Sequence, residues 1–220
     1  MGDVVLPFQR LLQYLSLMLL FGLPLLQRQA LVLGVGLPAA TLRSWLIAVG
    51  GAAVLAQLLE APLKAARLLG VPWQQLDVSA LAWYLFGTPA GLAWTARSAV
   101  LLAMALWLAC LHTRHRVTGA FLLLAGCAVS TLLWNGHAAM SEGIAGAARL
   151  FMGGLHLLAA SVWLGTISGF VLLLGHRAER ERLHALMHEF ASTGSLLVVI
   201  LMVSGTVHYA WIHHWQGTLV

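Results

Sequence analysis

The chain has 220 residues, of which 60% are hydrophobic and only 9% are charged, and its mean hydropathy is +0.88. Soluble globular proteins carry about 25% charged residues, so this composition excludes an ordinary water-soluble domain and predicts a protein embedded in a lipid bilayer. The net charge of +5 does not indicate nucleic-acid binding, because the basic residues stand singly or in small groups at the ends of apolar segments.

Six apolar segments are long enough to cross a bilayer, since a spanning helix needs about 20 mostly apolar residues. They predict an all-α transmembrane helical bundle that forms a single domain over residues 1–220. The predicted spans are 6–26, 41–59, 92–111, 117–135, 150–175 and 191–211.

Residues 60–91, between the second and third spans, contain three prolines and several charges. We expect them to form short interfacial helices rather than another span. Trp73, Trp83 and Tyr84 are expected in the headgroup layer, where tryptophan and tyrosine are enriched.

The distribution of basic residues predicts the orientation in the membrane. The turns after the first, third and fifth spans hold seven arginines, whereas the other side holds five Lys or Arg residues. Cytoplasmic loops carry an excess of Lys and Arg. We therefore expect a multi-pass protein of a bacterial inner membrane with both termini in the periplasm.

Histidine is abundant, with ten residues against seven acids. Ionisable residues inside a membrane are costly and indicate function. His137, His156 and His208 fall near the predicted outer ends of the fourth, fifth and sixth spans. Met152 is four residues before His156, and Met140 is three residues after His137. Imidazole and thioether ligands together favour soft or borderline metals such as copper, so these five residues are the predicted metal site.

Three further side chains are predicted to lie beside this site or to gate it: Trp163, Trp134 and Arg97. Trp163 is seven residues after His156 and falls on the same helical stripe, where it can close off the site or make a cation–π contact. Arg97 lies near the start of the third span and is a candidate buried charge. The alternative for Arg97 is an interfacial anchor.

The fifth span also carries small residues spaced four apart, a pattern that allows helices to approach closely. They are Ser161, Gly165 and Gly169. This line lies about 140° around the helix from His156, so we expect one face to pack closely and another to present the metal ligands. The same packing role is expected of Gly50, Gly51, Ser204 and Gly205.

A second pair of histidines lies in ERLHALMHEF, where His184 and His188 are four residues apart. This spacing can present two imidazoles to one metal, here on the predicted cytoplasmic side. The alternative is a solvated amphipathic helix, which the surrounding mixed charges favour.

Three stretches carry a family resemblance: FGTPAGLAWTARSAVLLA at residues 86–103, GHAAM at 136–140 and LHLLAASVWLG at 155–165. In these stretches and in their order the sequence resembles the copper resistance D family of CopD-type inner-membrane proteins. The resemblance implies copper handling, with uptake from the periplasm toward the cytoplasm, often beside a periplasmic CopC-type copper-binding partner. It also implies that His137 and His156 bind the metal.

Three hypotheses about function follow, and the first is a copper-binding membrane transporter. The second is a membrane electron carrier with haem b, which needs two histidines facing each other from different helices. The third is an accessory subunit of a larger membrane complex. The sequence contains no recognisable hydrolytic triad, paired carboxylates or phosphate loop, so we do not expect an enzyme.

Overall fold

The computed structural model describes residues 2–110, 119–135, 143–175 and 180–217. Within these ranges the chain forms seven α-helices: α1 (Gly2–Val32), α2 (Ala39–Leu69), α3 (Val78–Gly87), α4 (Pro89–Cys110), α5 (Gly119–Ser130), α6 (Gly143–Gly175) and α7 (Arg180–Gly217). Two short 3-10 helices occur at Trp73–Gln75 and Thr131–Asn135, and the latter is called the 3-10 segment below. No strand is present in the described ranges, and the predicted all-α architecture is confirmed.

Five of the helices, α1, α2, α4, α6 and α7, are long and apolar enough to cross a membrane. This agrees with the predicted polytopic helical bundle. The predicted fourth span coincides with α5 and the 3-10 segment, which have 12 and 5 residues. Together they extend about 28 Å, which is close to the thickness of the hydrocarbon core.

Helix α2 is longer than the span predicted from the sequence, because it continues through Pro62 and ends at Leu69. Gly70 then caps it in the left-handed conformation, with φ 67° and its N–H bonded to the carbonyl oxygen of Ala66. The sequence interpretation had placed Glu60 and Lys64 in the connector. They lie instead on the last three turns of α2.

The connector contains the 10-residue helix α3. A short helix in this segment was expected from the sequence. Asp77 caps α3 by accepting the N–H of Ala80 at 2.7 Å. Trp73 and Trp83 are exposed, but Tyr84 is fully buried against Ala61 and Ala65 of α2. Tyr84 is therefore packed inside the protein, where burial raises the pKa of its hydroxyl, and its level in the headgroup layer stays a prediction.

The turn from α3 into α4 is tight. Thr88 accepts the N–H of Gly91 at 3.0 Å, and Pro89 occupies the first helical position, where its missing N–H costs nothing. A Cβ atom on Gly91 would lie 1.9 Å from the carbonyl oxygen of Tyr84. Only glycine fits there, so α3 is held directly against the start of α4.

Helix α1 occupies the centre of the bundle, with α2, α5 and α6 around it. Its closest contact is with α6: a Cβ atom on Gly22 would lie 2.0 Å from the carbonyl oxygen of Ser161 and 2.8 Å from Cα of Gly165. Further along, Leu26 contacts Gly169, so the two helices run parallel. The small-residue line predicted on the fifth span is thus confirmed as a close packing face.

The same prediction is wrong for Gly50 and Gly51, which have no atom within 4 Å of an added Cβ. The face of α2 that carries these two glycines points away from the bundle. Gly205 does lie in a helix contact, against His156.

Helix α7 packs along α6. In its first turns Leu183 and Leu186 are buried, and Arg182 donates from Nη1 to the carbonyl oxygen of Gly34 at 3.2 Å. His184 and His188 are exposed on the other side of these turns. The ERLHALMHEF stretch is therefore an amphipathic helical extension of α7.

Candidate metal centre

Two of the predicted ligands, His156 of α6 and His208 of α7, lie in the contact between these helices. A Cβ atom added to Gly205 of α7 would lie 3.6 Å from Cε1 of His156. Conversely, a Cβ atom added to Gly153 of α6 would lie 3.5 Å from Cε1 of His208. Each imidazole thus lies over a glycine of the opposite helix. The two glycines let the helices approach while both rings remain between them.

Ser204 orients the imidazole of His156. Nδ1 of His156 lies 2.8 Å from Oγ of Ser204, and that hydroxyl donates to the carbonyl oxygen of Ile200 at 2.5 Å. Oγ is thereby placed to accept from Nδ1–H, and in a neutral ring Nε2 is then the nitrogen that can bind a metal.

Two of the remaining candidates, Met152 and Trp134, lie within the described residues. Met152 is half-buried on α6, one turn before His156, and residues four apart share a helix face. Trp134 is 46% exposed at the end of the 3-10 segment. His137 and Met140 lie outside the residues that the structure describes.

Trp163 lies two turns beyond His156 and also faces α7. Its ring is 6.1 Å from that of Phe190, and a Cβ atom on Gly194 would lie 3.5 Å from its Cζ3. It fills the α6–α7 contact on the far side of His156. A gating role for Trp163 stays a prediction.

The other end of this contact carries an aromatic and cationic pair that the sequence interpretation missed. The ring of Trp211 lies 6.3 Å from that of His208, and the guanidinium carbon of Arg149 lies 5.7 Å from the Trp211 centroid. This is cation–π geometry. The pair bounds the site on the side of the α6 amino terminus.

No group of three or more His, Cys, Asp or Glu side chains that could hold a metal occurs among the described residues. The described part of the candidate centre thus consists of two imidazoles and one thioether. His184 and His188, the other predicted pair, are exposed one turn apart near the opposite end of α7.

Arg97 is fully buried inside the bundle, as one of its two sequence interpretations predicted, and is not an interfacial anchor. Its Nη1 lies 2.6 Å from Oε2 of Glu60, and both side chains have no exposed area. The other carboxylate oxygen of Glu60 pairs with Lys64.

Amide side chains complete this polar cluster, which comprises Gln13, Gln57, Glu60, Lys64, Arg97 and Thr131. Gln13 donates to Glu60 at 2.6 Å and to Gln57 at 2.9 Å. Arg97 also donates to Gln57 at 3.1 Å. The cluster joins α1, α2, α4 and the 3-10 segment.

The sequence interpretation missed all of the polar cluster except Arg97. A signal was present, because Gln9 and Gln13 on α1, and Gln57, Glu60 and Lys64 on α2, recur at helical spacing within apolar helices. Polar residues that share one face of a spanning helix indicate polar partners inside the bundle.

Comparison with known proteins gives a family. The family described as "Copper resistance protein D-like, N-terminal domain" matches residues 1–147. The chain is also similar to Copper resistance protein D of Pseudomonas syringae pv. tomato, with 33% identity over 134 residues. That alignment covers 57% of this chain and 42% of the relative, so the chain spans less than half of that protein's length. No solved structure matches.

Proposed function

This chain belongs to the copper resistance protein D-like family, and on that premise we propose that it binds copper in the inner membrane and moves the ion from the periplasm toward the cytoplasm. One observation carries the proposal. His156 is held at Nδ1 by Ser204 in the α6–α7 contact, where the ring of His208 also lies.

The ligand chemistry supports copper over hard cations. Neutral imidazole nitrogen and thioether sulfur suit copper, whereas Mg²⁺ and Ca²⁺ prefer oxygen ligands. We propose His156, His208 and Met152 as ligands, joined by His137 and Met140 from the neighbouring GHAAM sequence. Trp163 and Trp134 are proposed to limit access to the ion.

The proposed direction of transport rests on the orientation inferred from the basic residues. In that orientation the start of α6 and the end of α7 lie toward the periplasm, so copper would be captured there. A CopC-type periplasmic protein is the proposed donor. His184 and His188, at the other end of α7, are proposed to receive the ion on the cytoplasmic side.

The packing of His156 and His208 does not favour a haem held between these two histidines. A haem with two axial histidines needs a flat macrocycle between the two imidazoles. His156 and His208 instead lie directly over glycines of the opposite helix, which leaves no space for a macrocycle between α6 and α7.

The test is metal binding by the purified protein, with an affinity tag free of histidine. We expect bound copper, and we expect His156→Ala and Met152→Ala to weaken binding at least about tenfold. Met202→Ala is the matched control for Met152→Ala, because Met202 is 67% exposed on α7. Equal binding by His156→Ala and the wild type would refute the site, and a Soret band would favour haem.

A further inference from the structure

The buried Glu60–Arg97 pair has a consequence for the candidate metal centre, although it lies in a different part of the bundle. We infer that Arg97, held by Glu60, fixes the 3-10 segment against α6 and thereby positions His208. This inference rests on the proposed function only where it concerns copper. The positioning itself is a property of the protein without metal.

Burying the Glu60–Arg97 pair has an energetic cost. Two charged side chains with no exposed area inside apolar helices are expensive, and a buried ion pair is often no more stabilising than well-packed apolar residues. The best-attested return for this cost is specificity of arrangement. Glu60 fixes the direction in which the Arg97 guanidinium points.

The other side of the Arg97 guanidinium binds Thr131. Nε of Arg97 donates to Oγ1 of Thr131 at 2.7 Å, and Nη2 donates to the carbonyl oxygen of Thr131 at 3.3 Å. Thr131 is the residue at which α5 changes into the 3-10 segment. A planar guanidinium can bind a carboxylate and both Thr131 oxygens together, whereas a lysine ammonium is a single point charge.

Leu133 connects the 3-10 segment to the surroundings of His208. A Cβ atom on Gly153 would lie 2.8 Å from Cδ2 of Leu133 and 3.5 Å from Cε1 of His208. Leu133 also lies beside Gly154. Leu133 and His208 therefore share the space that Gly153 leaves open. A shift of the 3-10 segment moves Leu133, which in turn changes the room available to the His208 ring.

The connection thus runs from Glu60 through Arg97 to Thr131, and along the 3-10 segment to Leu133, which lies beside Gly153 together with His208. Arg97 is a positioning residue in this arrangement, because it contacts neither imidazole. The arrangement explains why a charged pair is kept on α2 and α4 while the candidate ligands are on α6 and α7.

The experiment uses two variants that leave both charges in place, Thr131→Val and Leu133→Ala. The first removes the hydroxyl that accepts from Arg97, and the second removes the side chain beside His208. Leu123→Ala is the matched control, because Leu123 is on α5 and 73% exposed. Arg97→Lys is a third variant, which keeps a cation for Glu60 but loses the fork to Thr131.

Three measurements are made on the full chain. The imidazole NMR signal of His208, assigned by its loss in His208→Gln, is recorded without metal. Copper affinity and the electron paramagnetic resonance spectrum of bound Cu(II) are then measured. We expect Thr131→Val, Leu133→Ala and Arg97→Lys to shift the His208 signal, to weaken copper binding about tenfold or more and to alter the spectrum, with Leu123→Ala unchanged.

The outcomes separate the two proposals. An unmoved His208 signal in both Thr131→Val and Leu133→Ala overturns the positioning role, whatever happens to copper. A shifted signal in a protein that binds no copper supports the positioning role and overturns the proposed function instead. A loss of thermal stability with an unmoved His208 signal would also overturn the inference, since it would show a purely structural pair.

Discussion

The contact between α1 and α6 permits a quantitative prediction. In Gly165→Ala the new Cβ would lie 2.2 Å from the carbonyl carbon of Gly22 and 2.3 Å from its Cα. Carbon atoms in good contact are about 3.5–4.0 Å apart, so the two backbones must separate by more than about 1 Å. Such overpacking costs about 1–3 kcal/mol or more, and alanine recovers about 1 kcal/mol of helix propensity. We expect a net loss of about 2 kcal/mol, or roughly thirtyfold in the ratio of folded to unfolded protein.

The assay is reversible unfolding in mixed detergent micelles, followed by tryptophan fluorescence and circular dichroism. Gly51→Ala is the control, because it makes the same chemical change in α2 where no atom lies within 4 Å. It should be neutral or stabilising by up to about 1 kcal/mol. Equal stabilities of Gly165→Ala and Gly51→Ala would refute the close α1–α6 contact.

Three other changes have definite expected results. Ser204→Ala removes the acceptor that orients the α6 histidine, so copper affinity measured by competition should fall about tenfold, with little change in unfolding. Gly91→Ala places a Cβ 1.9 Å from the carbonyl oxygen of Tyr84 and should displace α3, seen as increased exposure of Tyr84 to solvent quenchers, whereas unchanged quenching would contradict the tight turn. The N–H of Ala80 lowers the pKa of Asp77, so the cap is intact above the pKa of the unfolded chain and is lost as the pH falls through the lower folded value. Hydrogen exchange of α3, corrected for the intrinsic rate, should therefore rise in acid for the wild type, and Asp77→Ala should abolish this pH dependence.

The bundle and one of its packing faces could be predicted from the sequence because both depend on local periodicity. A shortage of charges together with long apolar segments leaves few structures other than spanning helices. Small residues four apart in α6 identify a close contact by their spacing alone. What the spacing could not supply was the partner, which is Gly22 of α1. Gly22 has no such neighbours at a spacing of four, and the long-range fold decides where it lies.

The polar cluster and the histidine pair show where prediction from a single sequence ends. Glu60 was assigned to the connector because it stands beside Pro62, yet the helix continues and Arg97 from another helix pairs with the carboxylate. The facing of His156 with Gly205, and of His208 with Gly153, depends on how far α6 is displaced along α7. Hydrophobic periodicity gives the face of a helix but does not fix that displacement.

The central position of α1 has a consequence for biosynthesis. Helix α1 is made before α6, which packs against its Gly22 and follows more than a hundred residues later. The amide side chains of α1 find partners earlier. Gln9 donates to the carbonyl oxygen of Ala56 and Gln13 donates to Glu60, and both partners are on α2. A hairpin of α1 and α2 can thus enter the bilayer with these two amides paired while the surface around Gly22 is still covered by lipid. Assembly of the protein would then be completed when α6 displaces that lipid.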